Sequence, residues 1–227
     1  MRRLAASDYS HMKRKRTDSL DPRKKPRQRR SHVTVESIFD ATIQVLLANG
    51  LEAITTTQIA ERAGVGVGSL YQYFPNKNAL LAAVVQRHVS EVVGATIAAC
   101  RSVHGAGIRE MCATMMSAFV DAKTRRPEVS RALYLPSAAV NADAIVRAES
   151  VRCGEAVQKM LASARDVKIV ELQVVSLMLV GSIVAPTRVV IESGGGRADF
   201  ERLKLHLTAI AVGYLTEMST ANADFSS

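Results

Sequence analysis

The residues best placed to do chemistry lie between Thr55 and Leu80: three successive threonines, then Gln58, then the run Ser69, Leu70, Tyr71, Gln72, Tyr73, then Lys77. Hydroxyls, amides, phenols and one ammonium make hydrogen bonds, and they do covalent chemistry only where an adjacent base activates them. No nucleophile, base and orienting acid can be nominated from spacing anywhere in the chain, so it is not expected to be an enzyme and no cofactor is implied. His88 and His104 are isolated, which predicts no metal site. What such groups can do is bind. Polar side chains on a short helix after a glycine break are what a helix-turn-helix needs to reach base edges in a major groove.

The surrounding elements must hold that helix. Thr55-x-x-Gln58 has the form of a capping box opening one helix, with Ile59, Ala60 and Ala63 facing inward. Gly64 gives the turn its backbone freedom, Val65 plugs the core, and Val67, Leu70 and Phe74 set the inward face of the next helix until Pro75 ends it. Upstream, Ile38, Thr42, Val45, Leu46 and Asn49 follow one helix face, with Thr34 as the expected N-cap and Gly50 as the stop. Asn76 caps a long fourth helix whose stripe Leu80, Leu81, Val84, Val85, His88 and Val92 leads into a second domain. Further helical patterns run at about 106–124, 128–135, 138–163, 167–191 and 199–219.

The sequence has 227 residues, of which 48% are hydrophobic and only 4% aromatic, with no tryptophan. Ala, Val, Leu and Met dominate, which predicts an all-α protein of about nine helices. The net charge of +9 is concentrated in residues 1–30, which hold twelve Lys or Arg against three Asp. The rest of the chain is neutral. Residues 1–32 are therefore expected to be a disordered basic arm suited to a polyanion, or a solvated tail. Residues 33–80 read as the helix-turn-helix domain and 81–221 as a C-terminal domain. Cys100, Cys112 and Cys153 lack metal or disulfide spacing and read as reduced core residues of a cytoplasmic protein. The apolar run Val174 to Ala185, closed by Pro186, is read as too short for a membrane span.

At residues 54–81 the chain resembles the TetR family of bacterial transcriptional regulators, through Ile59-Ala60, Ala63-Gly64-Val65, Leu70-Tyr71, Tyr73-Phe74-Pro75, Lys77 and Ala79-Leu80-Leu81. The resemblance implies a homodimer that binds a palindromic operator and is released by a small-molecule effector, hence a repressor. It further implies phosphate contacts from Thr55, Thr57 and Lys77, and a groove-facing surface of Val67, Gly68 and Ser69 completed by Tyr71, Gln72 and Tyr73. Gln72 suits a bidentate contact to adenine, worth about 1–3 kcal/mol of discrimination. Gly66 stands where a serine often caps the recognition helix. Arg27, Arg29 and Arg30, just before the first helix, could enter a minor groove. The alternative is a nucleoid-type binder that uses the arm without sequence preference.

In the second domain, Met111, Met115, Phe119, Tyr134 and Met178 are candidate ligand-pocket residues, with plain core as the competing reading. The last two long helices are apolar on more than one face: Leu172, Val175, Leu179 and Ile183 on one side, Val174, Leu177 and Val189 elsewhere. Both sides have to be buried, either in a monomer's core or, as the resemblance implies, in a four-helix dimer interface.

Overall fold

The computed structural model describes the backbone of residues 29–224 and the side chains of residues 31–219. Among these residues it shows ten helices and no strand: α1 Arg29–Ala53, α2 Thr56–Arg62, α3 Val67–Tyr73, α4 Lys77–Ser102, α5 Ile108–Thr124, α6 Pro127–Ala132, α7 Tyr134–Ala139, α8 Asp143–Ala162, α9 Leu172–Glu192 and α10 Arg197–Asp224. The all-α class is the one the composition predicts. The tenth helix arises because the stretch around Leu133 divides, that residue closing α6 and opening α7. Pro136 falls in the first turn of α7, where a missing N–H leaves no bond unmade.

Local chemistry accounts for the N-terminal elements. Thr55 Oγ1 accepts from the Gln58 amide at 3.2 Å while Gln58 Oε1 accepts from the Thr55 amide at 3.0 Å, which completes the capping box. α2 ends in a Schellman pattern: the Val65 amide donates to the Ala60 carbonyl and the Gly64 amide to that of Glu61, with Gly64 at φ 67°. Gly50, at φ 74°, breaks α1 before its last short turn. Two boundaries differ from expectation. α1 already runs from Arg29, so Thr34 lies inside it and does not cap it. α9 begins at Leu172 and not near residue 167, and it runs through Pro186 to Glu192, as the pattern to 191 implied; the proline is on the exposed side, where water can satisfy the carbonyl it leaves unpaired. At 21 residues, α9 is long and apolar enough to cross a membrane, as is α4, which corrects the reading of this run as too short. Val175, Leu179, Ile183 and Ile191 of α9 are nevertheless buried in the helical core.

Two cores lie along α4. Leu80, Leu81, Val84 and Val85 pack with Ile38, Ile59, Leu70 and Phe74 of the first three helices. About two to four turns later, Val92, Val93 and Cys100 pack with α5, α8, α9 and α10. The change of core thus occurs within α4, beyond residue 80. Arg87, at the crossover, bonds Glu36, Asp40 and Glu91 and lies 5.0 Å from the centre of the Phe39 ring, tying α4 to α1. Val129, Leu133, Val140 and Ala142, from the α6–α8 region, also join the N-terminal core.

Candidate DNA-reading surface and ligand cavity

α3 is seven residues long and is held by Leu70, which is fully buried, and by the Gly66 carbonyl, which accepts from the Ser69 and Leu70 amides. Opposite that buried side, Val67, Gly68, Tyr71 and Gln72 are exposed and Ser69 is half-buried. Gly66 caps the helix without a side-chain bond, and no atom stands within 4 Å of where a Cβ on Gly68 would point, so the first turn can approach a surface closely. The Tyr71 hydroxyl and Thr56 Oγ1 lie 3.0 Å apart, which locks α3 to α2. Thr55 and Thr57 are exposed on the same edge; because the Thr55 oxygen accepts the Gln58 amide, its proton can be donated outward. Lys77 Nζ sits 3.4 Å from the Ile54 carbonyl, beside that edge.

Tyr73, expected on this surface, is buried at 9% exposure. Three residues after Leu70, it shares that residue's inward face, with its ring centre 6.5 Å from that of Phe74. Arg27 lies outside the described residues, and Arg29 and Arg30 are described only as the first backbone turn of α1. α3 itself carries no cation.

A cavity of about 370 Å³, in the range of small-molecule sites, lies between α4, α5, α8 and α9 and is closed on one side by α6 and α7. Met115, Phe119 and Tyr134 line it, as expected. Met111 and Met178 do not: Met111 is fully buried core one turn earlier in α5, and Met178 is 55% exposed on the outward side of α9. Most of the wall is aliphatic, but two polar groupings stand in it.

On the α8 side, Glu149 is buried yet satisfied. Its carboxylate accepts from Gln86, Ser90 and Arg152 at 2.9, 2.7 and 2.6 Å. At the other grouping, Lys123 Nζ lies 5.1 Å and Arg188 Cζ 4.6 Å from the centre of the Tyr134 ring. Burial, then the Arg188 charge, brings the Lys123 ammonium down to about 8, and burial pushes the Tyr134 phenol up to about 12. The Tyr134 hydroxyl is buried without a hydrogen-bond partner. Nearby, Ser130 Oγ donates to the Lys123 carbonyl at 2.7 Å, so its oxygen accepts from His88 Nε2 at 3.1 Å and the Nε2–H tautomer is set. Burial, then Lys123 and Arg87, holds His88 down at about 4, so it is neutral.

Lys123, Arg188, His88 and Ser130 were not foreseen as site residues. One signal was present: Met115, Phe119 and Lys123 recur every four residues, placing a cation on the buried stripe of α5. The three cysteines are free, buried and pushed up to about 12, 12 and 11, which leaves them protonated and unreactive.

A helix-turn-helix unit joined by a shared long helix to a cavity-bearing bundle is an architecture suited to a DNA-binding regulator. The pattern "Bacterial regulatory proteins, tetR family" matches residues 38–84, and "Tetracyclin repressor-like, C-terminal domain" matches residues 108–215. The chain belongs to the TetR family of DNA-binding transcriptional regulators, a family whose members are generally not enzymes.

Among curated relatives it is 32% identical over 127 residues to the HTH-type transcriptional repressor KstR of Mycolicibacterium smegmatis, a match spanning 56% of this chain and 60% of that protein. KstR of Mycobacterium tuberculosis is likewise 32% identical, over 56% of each chain. The chain thus spans less than two thirds of the curated relatives it matches. Among solved structures, the fatty acid degradation regulator FadR of Bacillus halodurans superposes with a TM-score of 0.63 at 16% identity, covering 84% of this chain and 97% of that one. A regulatory protein of the tetR family from Rhodococcus RHA1 gives 0.61 at 17% identity, over 80% and 96%. These superpositions concern the fold.

Proposed function

We propose that the chain is a homodimeric repressor that occupies a palindromic operator through α3 and leaves it when a small molecule enters the α4–α9 cavity. The observation that carries this reading is the sharing of parts between the two sites. α4 contributes to the core beneath α3 and to the cavity wall, and Leu133 belongs to that same core while lining the cavity. A ligand that fits the cavity better in one arrangement of α4 and α6 would bias the spacing of two recognition helices across a dimer.

The dimer is supported by an apolar face that no described residue covers. Val174, Leu177, Met178, Val184 and Val189 of α9, with Leu205 and Ile210 of α10, are all exposed. A two-fold pairing of α9 and α10 would bury them in a four-helix arrangement. In DNA, Gln72 and Tyr71 read or flank bases while Thr55, Thr57, Ser69 and Lys77 fix phosphates; Val67 and Gly68 allow the close approach. Residues 33 to about 85 form the DNA-binding part and the remainder serves ligand and dimer.

The test is selection from a random duplex library with the purified chain, then salt titration against the winning duplex and a scrambled control. A palindromic winner preferred by about a thousandfold or more is expected. Equal binding to both duplexes would replace this reading with a sequence-independent binder.

A further inference from the structure

We infer that the Lys123–Tyr134–Arg188 end of the cavity binds the carboxylate head of an amphipathic ligand whose apolar tail lies along the α4, α5 and α9 walls. The inference rests on the reading of the cavity as the effector site and specifies what that site takes.

Three donors stand together there, and of the described carboxylates only Glu192 meets one of them, at Arg188. Lys123 and Arg188 flank a single phenol ring, at 5.1 and 4.6 Å from its centre. No described carboxylate lies within ion-pairing distance of Lys123. The Tyr134 hydroxyl is buried and unpartnered. Arg188 does meet Glu192, but through Nε, so its terminal nitrogens are not used in that pair. A buried donor left unmade and two like charges around one ring are each unfavourable in an empty cavity. A carboxylate beside the ammonium and the guanidinium relieves the repulsion between the two charges, and a turn of the Tyr134 side chain, whose hydroxyl is closed off in the empty cavity, lets the phenol donate to it as well.

The rest of the wall argues the same way. Glu149, the buried carboxylate facing the cavity, is saturated by Gln86, Ser90 and Arg152 and offers no seat to a ligand cation, and the other lining carboxylate, Asp143, is exposed in the first turn of α8, away from the buried end that holds Lys123. His88 is bonded to Ser130 and neutral. Val89, Val92, Met115, Phe119 and Ile183 leave the remaining surface to an aliphatic body. A volume of about 370 Å³ equals the liquid share of roughly a dozen waters, which is about the heavy-atom count of decanoate.

The experiment is isothermal titration of the full chain with decanoate, decanol and decyltrimethylammonium, each below its aggregation threshold, repeated on Lys123→Met and Tyr134→Phe. Decanoate is expected to bind roughly tenfold or more tightly than decanol, and decyltrimethylammonium more weakly than either. Lys123→Met should lower decanoate affinity about tenfold to a hundredfold, and Tyr134→Phe several-fold, while both leave decanol unchanged. Decanol binding retained by the variants shows that the cavity is still formed. If decanol binds as tightly as decanoate, or if both variants keep the decanoate affinity, the carboxylate site is wrong while the cavity reading stands. If no probe of the three binds, the effector-cavity reading fails, and the inference with it.

Discussion

Truncating Leu177 isolates the dimer from the fold. Leu177 is 69% exposed on the protomer, and fully burying a leucine is worth about 1.5–3 kcal/mol, so covering the exposed part contributes about 1–2 kcal/mol. A two-fold interface contains the residue twice, which brings the loss in Leu177→Ala to about 2–4 kcal/mol of dimerisation. That is roughly a thirtyfold to thousandfold rise in the dimer dissociation constant. The neighbouring Val175 is buried in the protomer's own core, so Val175→Ala should lower the unfolding midpoint, whereas Leu177→Ala should act on association. Sedimentation equilibrium over a concentration series, with urea unfolding of both variants, separates the two. Operator affinity at concentrations below the new dissociation constant should fall in parallel, since one protomer reaches only one half-site. An unchanged monomer–dimer equilibrium in Leu177→Ala would refute the assignment of this face to the dimer.

Gly64→Ala should cost about 1–2 kcal/mol in urea denaturation, because φ there is 67° and the left-handed region penalises a Cβ by about that much; nothing lies within 4 Å of the added atom, so a much larger loss would point to an unrecognised clash. His88 is held at about 4 against an ordinary 6.5, so the unfolded chain takes up the proton first. Stability present above about pH 6.5 is then lost as pH falls towards 4, by about 3 kcal/mol in all. His88→Gln should flatten that limb of the stability curve, and an unaltered limb would assign the acid sensitivity elsewhere. Gln72→Ala should weaken operator binding by about 1–3 kcal/mol and relax the preference at one base pair; a uniform loss across all sequences would make Gln72 a backbone contact. Removing residues 1–28 should flatten the salt dependence of binding by about 0.9 in log–log slope for each phosphate that the arm had neutralised, and an unchanged slope would show that the basic arm neutralises none.

The DNA-reading half was legible because its constraints are local. A capping box, a positive-φ glycine and a helix-ending proline each announce themselves within a few residues, and the structure places all three where the spacing implied. Tyr73 was misplaced by treating residues 71–73 as one strip; the helical period puts it with Leu70. The start of α1 was missed because Arg29, Arg30, Ser31 and His32 include no apolar residue, so no periodicity marks them. The cavity was illegible for a different reason. Its polar groups come from α4, α5, α6, α7, α8 and α9, and only the fold brings His88, Lys123, Ser130, Tyr134, Glu149 and Arg188 to one space. The apolar split of α9 was readable: the side holding Val175, Leu179 and Ile183 is buried, and that holding Val174, Leu177 and Val189 is exposed. What the exposed side meets needs a second molecule.

The cationic end of the cavity also sits where a bound head group would matter most for DNA. Lys123 closes α5, its carbonyl is bonded by Ser130 of α6, and Ser130 is bonded by His88 of α4. One residue before Ser130, Val129 packs in the core beneath the helix-turn-helix. A head group at Lys123 would therefore push on, or steady, the α4–α6 joint from one side while α1 packs against it from the other. Turning an operator from almost fully occupied to almost fully vacant takes about 5.5 kcal/mol of differential binding. Two identical cavities in a dimer would each have to supply about half of that. This is the size of one charge-assisted hydrogen bond, about 1.5–3 kcal/mol, provided it forms in the DNA-incompatible arrangement and not in the other. Lys123→Met should then do more than weaken the ligand: it should leave a repressor that still binds carboxylates at high concentration but no longer leaves its operator. A variant released normally once its cavity is saturated would show that the apolar tail, and not the head group, carries the signal.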